Sequence, residues 1–279
     1  MKTKQKIAII SIIISIIVIS SITILNPQLV DRAFYRMGLQ EQICFPVINE
    51  EFQSDNVTNI VAAGDFGINE NSVKTLKNIQ SSNPEVILML GDLGQSTSKE
   101  WIELSEPMDR NKMYIALGDS DLLERNDYLR YSAVTDDYYS FDYQNIHFLA
   151  ISTNEEKNNE LGILSDVIQI DFIKDDLSNA ADDPKTDWIV VFLHHPMYTS
   201  IPNPYSMDLR SLLQPTFDLY GVDLVINGHK HVYERTNPVT FNNTITDNEN
   251  CSYDDPNGQI YLTVGTGGHS HHQFKQKQS

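Results

Sequence analysis

Short apolar runs alternate with segments of helical character along the chain from about residue 57 onward. Six of these runs have the length of β-strands, at residues 60–63, 85–90, 112–117, 188–193, 222–226 and 259–264. Four further segments are expected to be helices, at residues 72–80, 98–104, 167–177 and 209–220. Strands that alternate with helices in this way predict an α/β domain.

Two β-rich runs interrupt the alternation, at residues 138–143 and 145–152. They are joined tightly through Gln144, a spacing that predicts a β-hairpin. The domain should therefore contain antiparallel strands in addition to those of its α/β units.

The N-terminal segment differs in kind from the rest of the chain. Three lysines within residues 1–6 precede an apolar and Ser/Thr run at residues 7–25, which as a helix would extend about 28 Å, close to one hydrocarbon thickness. We expect a transmembrane anchor there, with residues 1–6 in the cytoplasm and everything after residue 25 outside the membrane. The alternative is a signal peptide cleaved before Ser21, which would give a secreted protein. Residues 26–56 are then a juxtamembrane stalk, and residues 57–279 form one domain.

The composition of the chain limits which classes of function the protein can have. The chain has 279 residues, 41% of them hydrophobic, which is enough for one large domain with a sizeable core. Its formal net charge of −18 would repel nucleic-acid phosphates, so we expect no nucleic-acid partner. The only cysteines, Cys44 and Cys251, could form a disulfide outside the cytoplasm or remain two buried thiols, and both readings stay open.

Five predicted strands run into residues that commonly bind metals. In chain order, these residues are Asp65, Asp92, Asp119, His194 and the pair His229 and His231. The carboxyl ends of strands are where sites form in open α/β sheets, so the five loops should converge. Carboxylates and imidazoles suit divalent metals of borderline hardness. Two such ions about 3.5–4 Å apart supply the nucleophile and the charge neutralisation that phosphoester hydrolysis needs.

The motifs around these residues resemble those of a known family. GDFG, GDLG, GDSD, VFLHHPMYTS and NGHKHVYER, in this order, are similar to motifs of the calcineurin-like metallophosphoesterases, and within them of the purple acid phosphatases. The resemblance covers roughly residues 59–268 and implies a four-layer α/β/β/α sandwich, a metallophosphoesterase domain. It also implies two metal ions, with Asp65 and His231 on the first, Asp92 bridging both, and His194, His229 and Asp119 on the second.

Two departures from the family pattern bear on the chemistry. Gln95 stands where the purple acid phosphatases have a tyrosine ligand, so the first metal lacks one ligand and should be divalent: manganese, zinc or ferrous iron. Ser120 stands where the family has a catalytic histidine, and a hydroxyl is no proton donor near pH 7. Ser120 and Asp121 are still the residues expected to be catalytic without binding metal.

Polar residues next to the motifs are expected to support the ligands rather than bind metal. His195 should lie outside the ligand set, whereas Tyr233, Glu234 and Arg235 should orient His231.

The remaining histidines are expected to have structural roles or none. His147 lies in an apolar strand and should be a satisfied core or surface residue. His269, His271 and His272 should belong to a frayed tail, or else fold back to supply the missing ligand or acid.

Together these features predict the hydrolysis of phosphate monoesters, with a small phosphorylated molecule as the substrate. A phosphodiesterase is the alternative within the same chemistry. The departures at Gln95 and Ser120 also favour a degenerate surface protein that binds metal without turnover.

Overall fold

Two β-sheets form the centre of the fold in the computed structural model, which describes residues 58–94, 97–134, 136–157, 160–163, 167–241, 243–244 and 258–272. The smaller sheet consists of three parallel strands in spatial order, β1 (Ile60–Ala63), β2 (Val86–Met89) and β3 (Met113–Ile115). The larger sheet consists, from edge to edge, of β10 (Tyr233–Arg235), β13 (Ile260–Val264), β9 (Leu224–Asn227), β8 (Trp188–Leu193), β5 (Ile146–Ile151) and β4 (Tyr139–Tyr143). Its four inner strands are parallel, and both edge strands are antiparallel to their neighbours.

Helices and short ladders complete the described part of the chain. The α-helices are α1 (Glu70–Ser81), α2 (Ser98–Ser105), α3 (Arg125–Tyr131), α4 (Val167–Asp182) and α5 (Ser206–Tyr220). Short 3-10 helices cover Arg110–Lys112 and Asp119–Glu124. Two small ladders pair β6 (Asn154–Lys157) with β7 (Glu160–Ile163) and β11 (Val239–Thr240) with β12 (Asn243–Thr244).

Local sequence fixes the beginning of one helix and the end of another. Helix α1 begins after Asn69, whose side-chain oxygen accepts hydrogen bonds from the backbone N–H groups of Asn71 and Ser72. Helix α5 ends at Gly221, which has a φ of 69° that glycine adopts without a steric penalty.

Successive side chains along a strand point to opposite faces of its sheet, so they belong to different apolar cores, of which the described residues form three. On β2, Ile87 belongs to a core shared with α1, α2 and α3, whereas Leu88 belongs to the core between the two sheets. On β5, Phe148 belongs to that same central core, whereas Leu149 belongs to a core shared with α4 and α5. The layers therefore run helix, sheet, sheet, helix, so the mixed α/β sandwich predicted from the sequence is confirmed.

The predicted strands lie within two residues of their observed bounds, and the helices begin or end up to five residues away. The sequence reading missed α3 and the strands β6, β7, β10, β11 and β12. The missed strands are two to four residues long and mostly polar, so they carry little hydrophobic periodicity.

Several predictions concern residues outside the described part of the chain. These are the transmembrane segment at 7–25, the stalk at 26–56, both cysteines and Gln95. Among the residues that are described, no helix has both the length and the apolar character that crossing a membrane requires.

Candidate metal centre

The carboxyl ends of five strands bring five of the six predicted ligands together in two groups, and His231 lies outside both groups. Asp65, Asp92 and Asp119 follow β1, β2 and β3, and His194 and His229 follow β8 and β9. Each of the five belongs to at least one group of side chains whose potential ligand atoms lie within 4.8 Å of one another.

Left-handed backbone angles turn the chain sharply out of three of these strands. Asp65, Asp92 and His229 have φ values of 58°, 50° and 65°, a region that residues with a Cβ rarely adopt. Backbone hydrogen bonds hold the first two turns side by side, from Asp65 N to Gly91 O at 2.9 Å and from Phe66 N to Asp92 O at 3.0 Å. The two aspartate loops therefore have little freedom to move apart.

Asp121 ties the second aspartate loop to the third. Its Oδ1 accepts a hydrogen bond from Leu93 N at 3.0 Å, and its Oδ2 accepts one from Gly118 N at 2.9 Å. The side chain is fully buried, and this burial raises the pKa of the carboxyl to about 7 even though both hydrogen bonds favour the charged form. A Cβ on Gly118 would lie 2.3 Å from Asp92 N, so only glycine permits the close approach. Asp121 thus positions the loops that carry Asp92 and Asp119.

The first ligand group contains Asp65, Asp92 and His194. Asp65 is fully buried, and its Oδ2 accepts a hydrogen bond from His229 N at 2.8 Å. Its Oδ1 has no hydrogen-bond partner and lies 3.4 Å from His231 Nε2. The free atoms of Asp65 and His231 therefore face each other, as expected of two ligands of one ion.

The second ligand group contains Asp119, His194, His195 and His229. His194 donates from Nδ1 to the carbonyl oxygen of Leu90 at 2.7 Å, which leaves the lone pair on Nε2. The nearest Asp119 oxygens lie 3.0 Å from His195 Nε2 and 3.6 Å from His229 Nδ1. Because His194 belongs to both groups, the two groups are adjacent.

Whether metal ions fit this site can be judged from the buried ligand atoms that have no hydrogen-bond partner. Within the described residues they include Asp65 Oδ1, His194 Nε2 and His195 Nε2. Leaving such an atom unpaired costs about 1–3 kcal/mol, which coordination to a metal would offset. Burial, followed by the neighbouring His194 and His195, lowers the pKa of His229 to about 2, so this imidazole is neutral and able to coordinate. The residues fit a pair of metal ions.

A family model described as calcineurin-like phosphoesterase matches residues 58–233. The protein belongs to the calcineurin-like phosphoesterase family. Purple acid phosphatase 23 of Arabidopsis thaliana is 23% identical to it, over 85% of this chain and 59% of the relative. The phosphoenolpyruvate phosphatase of Allium cepa is 24% identical, over 74% of this chain and 47% of the relative. The chain thus spans about half the length of the curated relatives that it matches.

Two solved structures share the fold of this phosphoesterase family member. The purple acid phosphatase PPD1 from yellow lupin superposes with a TM-score of 0.60 and 21% identity, over 81% of this chain and 47% of the lupin chain. GAP50, the anchor in the inner membrane complex of Plasmodium, superposes with a TM-score of 0.54 and 19% identity, over 79% of this chain and 76% of that chain. At these identities the likeness concerns the fold alone.

His195, which was expected outside the ligand set, has a ring nitrogen within 4.8 Å of the potential ligand atoms of Asp119, His194 and His229. Its backbone N–H donates to Thr153 Oγ1 at 3.3 Å, and its Nδ1 lies 2.9 Å from the same hydroxyl oxygen. These two contacts direct Nε2 toward Asp119. The alternation of side chains along a strand could not predict the direction of His195, because β8 ends at Leu193 and His195 lies beyond that end.

The residues expected to orient His231 lie elsewhere. Glu234 accepts hydrogen bonds from Thr199 Oγ1 at 2.5 Å and from Ser200 N at 3.0 Å, so it ties β10 to the loop after β8. Tyr233 and Arg235 lie on either side of Glu234 in β10 and are exposed.

The contacts of His231 come instead from the C-terminal segment. His231 Nδ1 lies 2.9 Å from the carbonyl oxygen of Ser270, and its ring lies against the rings of His269 and His272. The expectation of a frayed tail is therefore wrong for residues 269–272. The sequence signal that could have shown this is the glycine-rich GTGG run just before them, which allows the chain to pass close to the ligand loops.

Proposed function

We propose that this protein hydrolyses phosphate monoesters at a pair of divalent metal ions. The supporting observation is that two ligand groups share His194 and retain buried acceptor atoms without partners. When bound, the two ions would activate water and neutralise charge on the phosphoryl oxygens. The first ion would be held by Asp65 and His231, the second by His194, His229 and Asp119, and both by Asp92.

Two side chains beside the ligands, those of Ser120 and Lys230, would assist the hydrolysis. Ser120 donates from its backbone N and from its Oγ to Asp92 Oδ1, both at 2.9 Å, and so fixes the carboxylate that both ions would share. Burial lowers the pKa of Lys230, although Asp119 and Asp65 favour its charged form. Its ammonium group would attract a phosphorylated substrate to an otherwise strongly acidic protein. A small phosphorylated substrate also agrees with the names of the relatives, which include a phosphoenolpyruvate phosphatase.

One observation favours a second candidate, a metal-binding protein without turnover. The Ser120 hydroxyl already donates to Asp92, so it is not free to donate to a phosphoryl oxygen. The imidazole that the family has at this position is absent from the sequence.

Metal analysis and two ester assays test the proposal together. The full chain should bind two metal ions and hydrolyse para-nitrophenyl phosphate faster than bis(para-nitrophenyl) phosphate. Faster hydrolysis of the diester would instead identify a phosphodiesterase. Two bound ions with neither activity would establish the metal-binding protein, and the absence of metal would overturn all three functions.

We also propose that residues 7–25 hold the catalytic domain at the outer face of a membrane. The support is the apolar run itself, preceded by lysines that favour the cytoplasmic side. The protein should fractionate with membranes, and external protease should remove its catalytic domain from intact cells. Release of a soluble chain that begins near Ser21 would contradict the anchor and identify a signal peptide.

A further inference from the structure

We propose that residues 269–272 form a clamp that positions His231 for metal binding. This inference rests on the proposed metal-dependent function and adds a part of the chain to which the ligand motifs give no role. We call residues 269–272 the histidine clamp.

The chain reaches the clamp by a path between two ligand loops that leaves no room for side chains at its three glycines, Gly265, Gly267 and Gly268. Gly267 N donates to Gly64 O at 2.8 Å, beside the loop that carries Asp65. A Cβ on Gly265 would lie 2.2 Å from Lys230 O, and a Cβ on Gly268 would lie 2.7 Å from Phe66 O. Both neighbours are backbone atoms that cannot easily yield. The glycines therefore fix where the clamp begins.

Backbone hydrogen bonds then attach the clamp to both ligand loops. His269 N donates to the carbonyl oxygen of Asp65 at 3.0 Å. His272 N donates to the carbonyl oxygen of His231 at 3.0 Å, and His231 N donates back to His272 Nδ1 at 3.2 Å. The clamp thus joins the two residues whose free atoms, Asp65 Oδ1 and His231 Nε2, lie 3.4 Å apart.

The clamp also sets the tautomer and orientation of the His231 ring. His231 Nδ1 donates to the carbonyl oxygen of Ser270 at 2.9 Å, which leaves Nε2 as the acceptor that faces Asp65. The His272 ring stacks on the His231 ring with centroids 4.2 Å apart and planes inclined by 10°. His269 Nδ1 lies 3.0 Å from His231 Nδ1. The imidazole is therefore held by a carbonyl oxygen and by two neighbouring rings.

A firmly held histidine matters most where ligands are few. The sequence has Gln95 where the purple acid phosphatases have a tyrosine ligand, so the first ion depends more heavily on its remaining ligands. Groups that orient a metal-binding histidine typically contribute about 10- to 100-fold to metal affinity or activity. The clamp should therefore raise the affinity of the first site while leaving the second site unchanged.

Substitutions of His272 in the full chain test the clamp by metal binding rather than by turnover. His272→Leu removes the acceptor at Nδ1 and the ring, whereas His272→Asn keeps an acceptor near the Nδ1 position. His271→Ala is the matched control, because the His271 side chain is exposed and makes none of the contacts through which Ser270 and the other two histidines hold His231. Each protein is titrated with Co²⁺, followed by calorimetry and by the visible absorption of the bound ion.

We expect the wild type and His271→Ala to bind two Co²⁺ ions with the same affinities and spectra. His272→Leu should bind one ion normally and the other about 10- to 100-fold more weakly, with an altered spectrum. His272→Asn should recover much of that loss. If His272→Leu does not fold, as judged by its thermal melting, His269→Ala should show the same selective weakening.

The outcomes separate the clamp from the proposed function. Two ions bound with wild-type affinity by folded His272→Leu would overturn the clamp and leave the metal centre intact. Equal weakening of both sites would also overturn it, because it would indicate a general structural effect. Failure of the wild type to bind Co²⁺ would overturn the metal centre and the clamp together.

Discussion

Asp92 is held in place by groups that are not themselves candidate ligands. Ser120 donates to its Oδ1 twice, and that oxygen lies 3.7 Å from the unpartnered His194 Nε2. A carboxylate oriented in this way can present its oxygens to two ions without having to turn. The effects of removing the carboxylate and of removing its support should therefore differ in size.

Substitution at these two positions tests that difference. Asp92→Ala should lower the metal content and reduce kcat/KM by more than the roughly 10- to 100-fold expected when a group only orients a ligand. Ser120→Ala, which removes one of the two hydrogen bonds, should stay within that range and keep both metals. Elemental analysis and monoester kinetics provide the measurements. Wild-type metal stoichiometry in Asp92→Ala would rule out Asp92 as the bridge.

The colour of the iron-loaded protein depends on position 95. Gln95 offers a neutral amide where the purple acid phosphatases have a tyrosine, whose phenolate gives charge transfer with ferric iron. The wild type should therefore be colourless with iron, and Gln95→Tyr should gain a visible absorption band on ferric loading. A violet wild type would mean that another tyrosine, such as Tyr198 or Tyr233, reaches the metal, and the ligand assignment would be wrong.

At the residue scale, the sequence was informative where a side chain came within four residues of the end of a strand. Asp65, Asp92, Asp119 and His229 lie where that rule places them. His195 lies two residues beyond β8, but the rule could not give the direction of its side chain, because that direction depends on Thr153, which is distant in sequence and follows a different strand. Contacts of this kind arise only when separate elements pack together.

At the scale of elements, His147 connects the hairpin of β4 and β5 to helix α4. Its Nδ1 lies 2.8 Å from Asp142 on β4, and its Nε2 lies 2.9 Å from Asp176 on α4. Burial alone would lower the pKa of this imidazole, but the two carboxylates together raise it above its usual range. The expected satisfied histidine is thus confirmed, and the two carboxylates that favour its protonated form link two elements.

Protonation of His147 should make the stability of the protein depend on pH. A raised folded-state pKa contributes stability that is fully present below the unfolded value of about 6.5 and is lost as the pH rises through the folded value. His147→Gln should therefore lower the free energy of unfolding more at pH 6 than at pH 9, measured by urea denaturation. Asp176→Asn should reduce the same pH dependence, and the exposed Asp142→Asn should do so less. An equal loss at both pH values would contradict a charged His147.

Among the elements, hydrophobic patterning is sufficient to predict the more apolar strands. The predicted runs all became strands because each has at least four apolar or β-branched positions that can be buried. The ladder of β6 and β7 consists of NEEK and ELGI and offers too little contrast between its two faces to be predicted. Partners distant in the chain, rather than local preference, determine such strands.

At the scale of the whole molecule, the core between the two sheets holds the ligand loops of both sheets together. Leu88 of the smaller sheet and Phe148 of the larger sheet are both fully buried there. Phe148 also stacks on Phe141, with centroids 4.7 Å apart. The separation of ligands from the two sheets therefore depends on how this central core packs.

Truncation in the central core should destabilise the protein strongly. Phe148→Ala should lower the free energy of unfolding by about 3–5 kcal/mol, through lost burial and the cavity left behind. Leu219→Ala is the control, since Leu219 on α5 is 72% exposed and its loss should change stability by less than about 0.5 kcal/mol. Chemical denaturation of both variants provides the measurement. A similar small change in both would mean that the sheets do not share a tightly packed core.

The left-handed turns at Asp65, Asp92 and His229 lower the stability of the fold at the positions that the site needs. Each such residue is disfavoured by about 1–3 kcal/mol relative to a relaxed backbone, and glycine in its place would remove most of that penalty. Drift without selection for metal chemistry would therefore tend to replace these side chains and make the fold more stable. This chain has side chains rather than glycine at all three positions, so its fold gives up stability that metal binding at the site would have to offset.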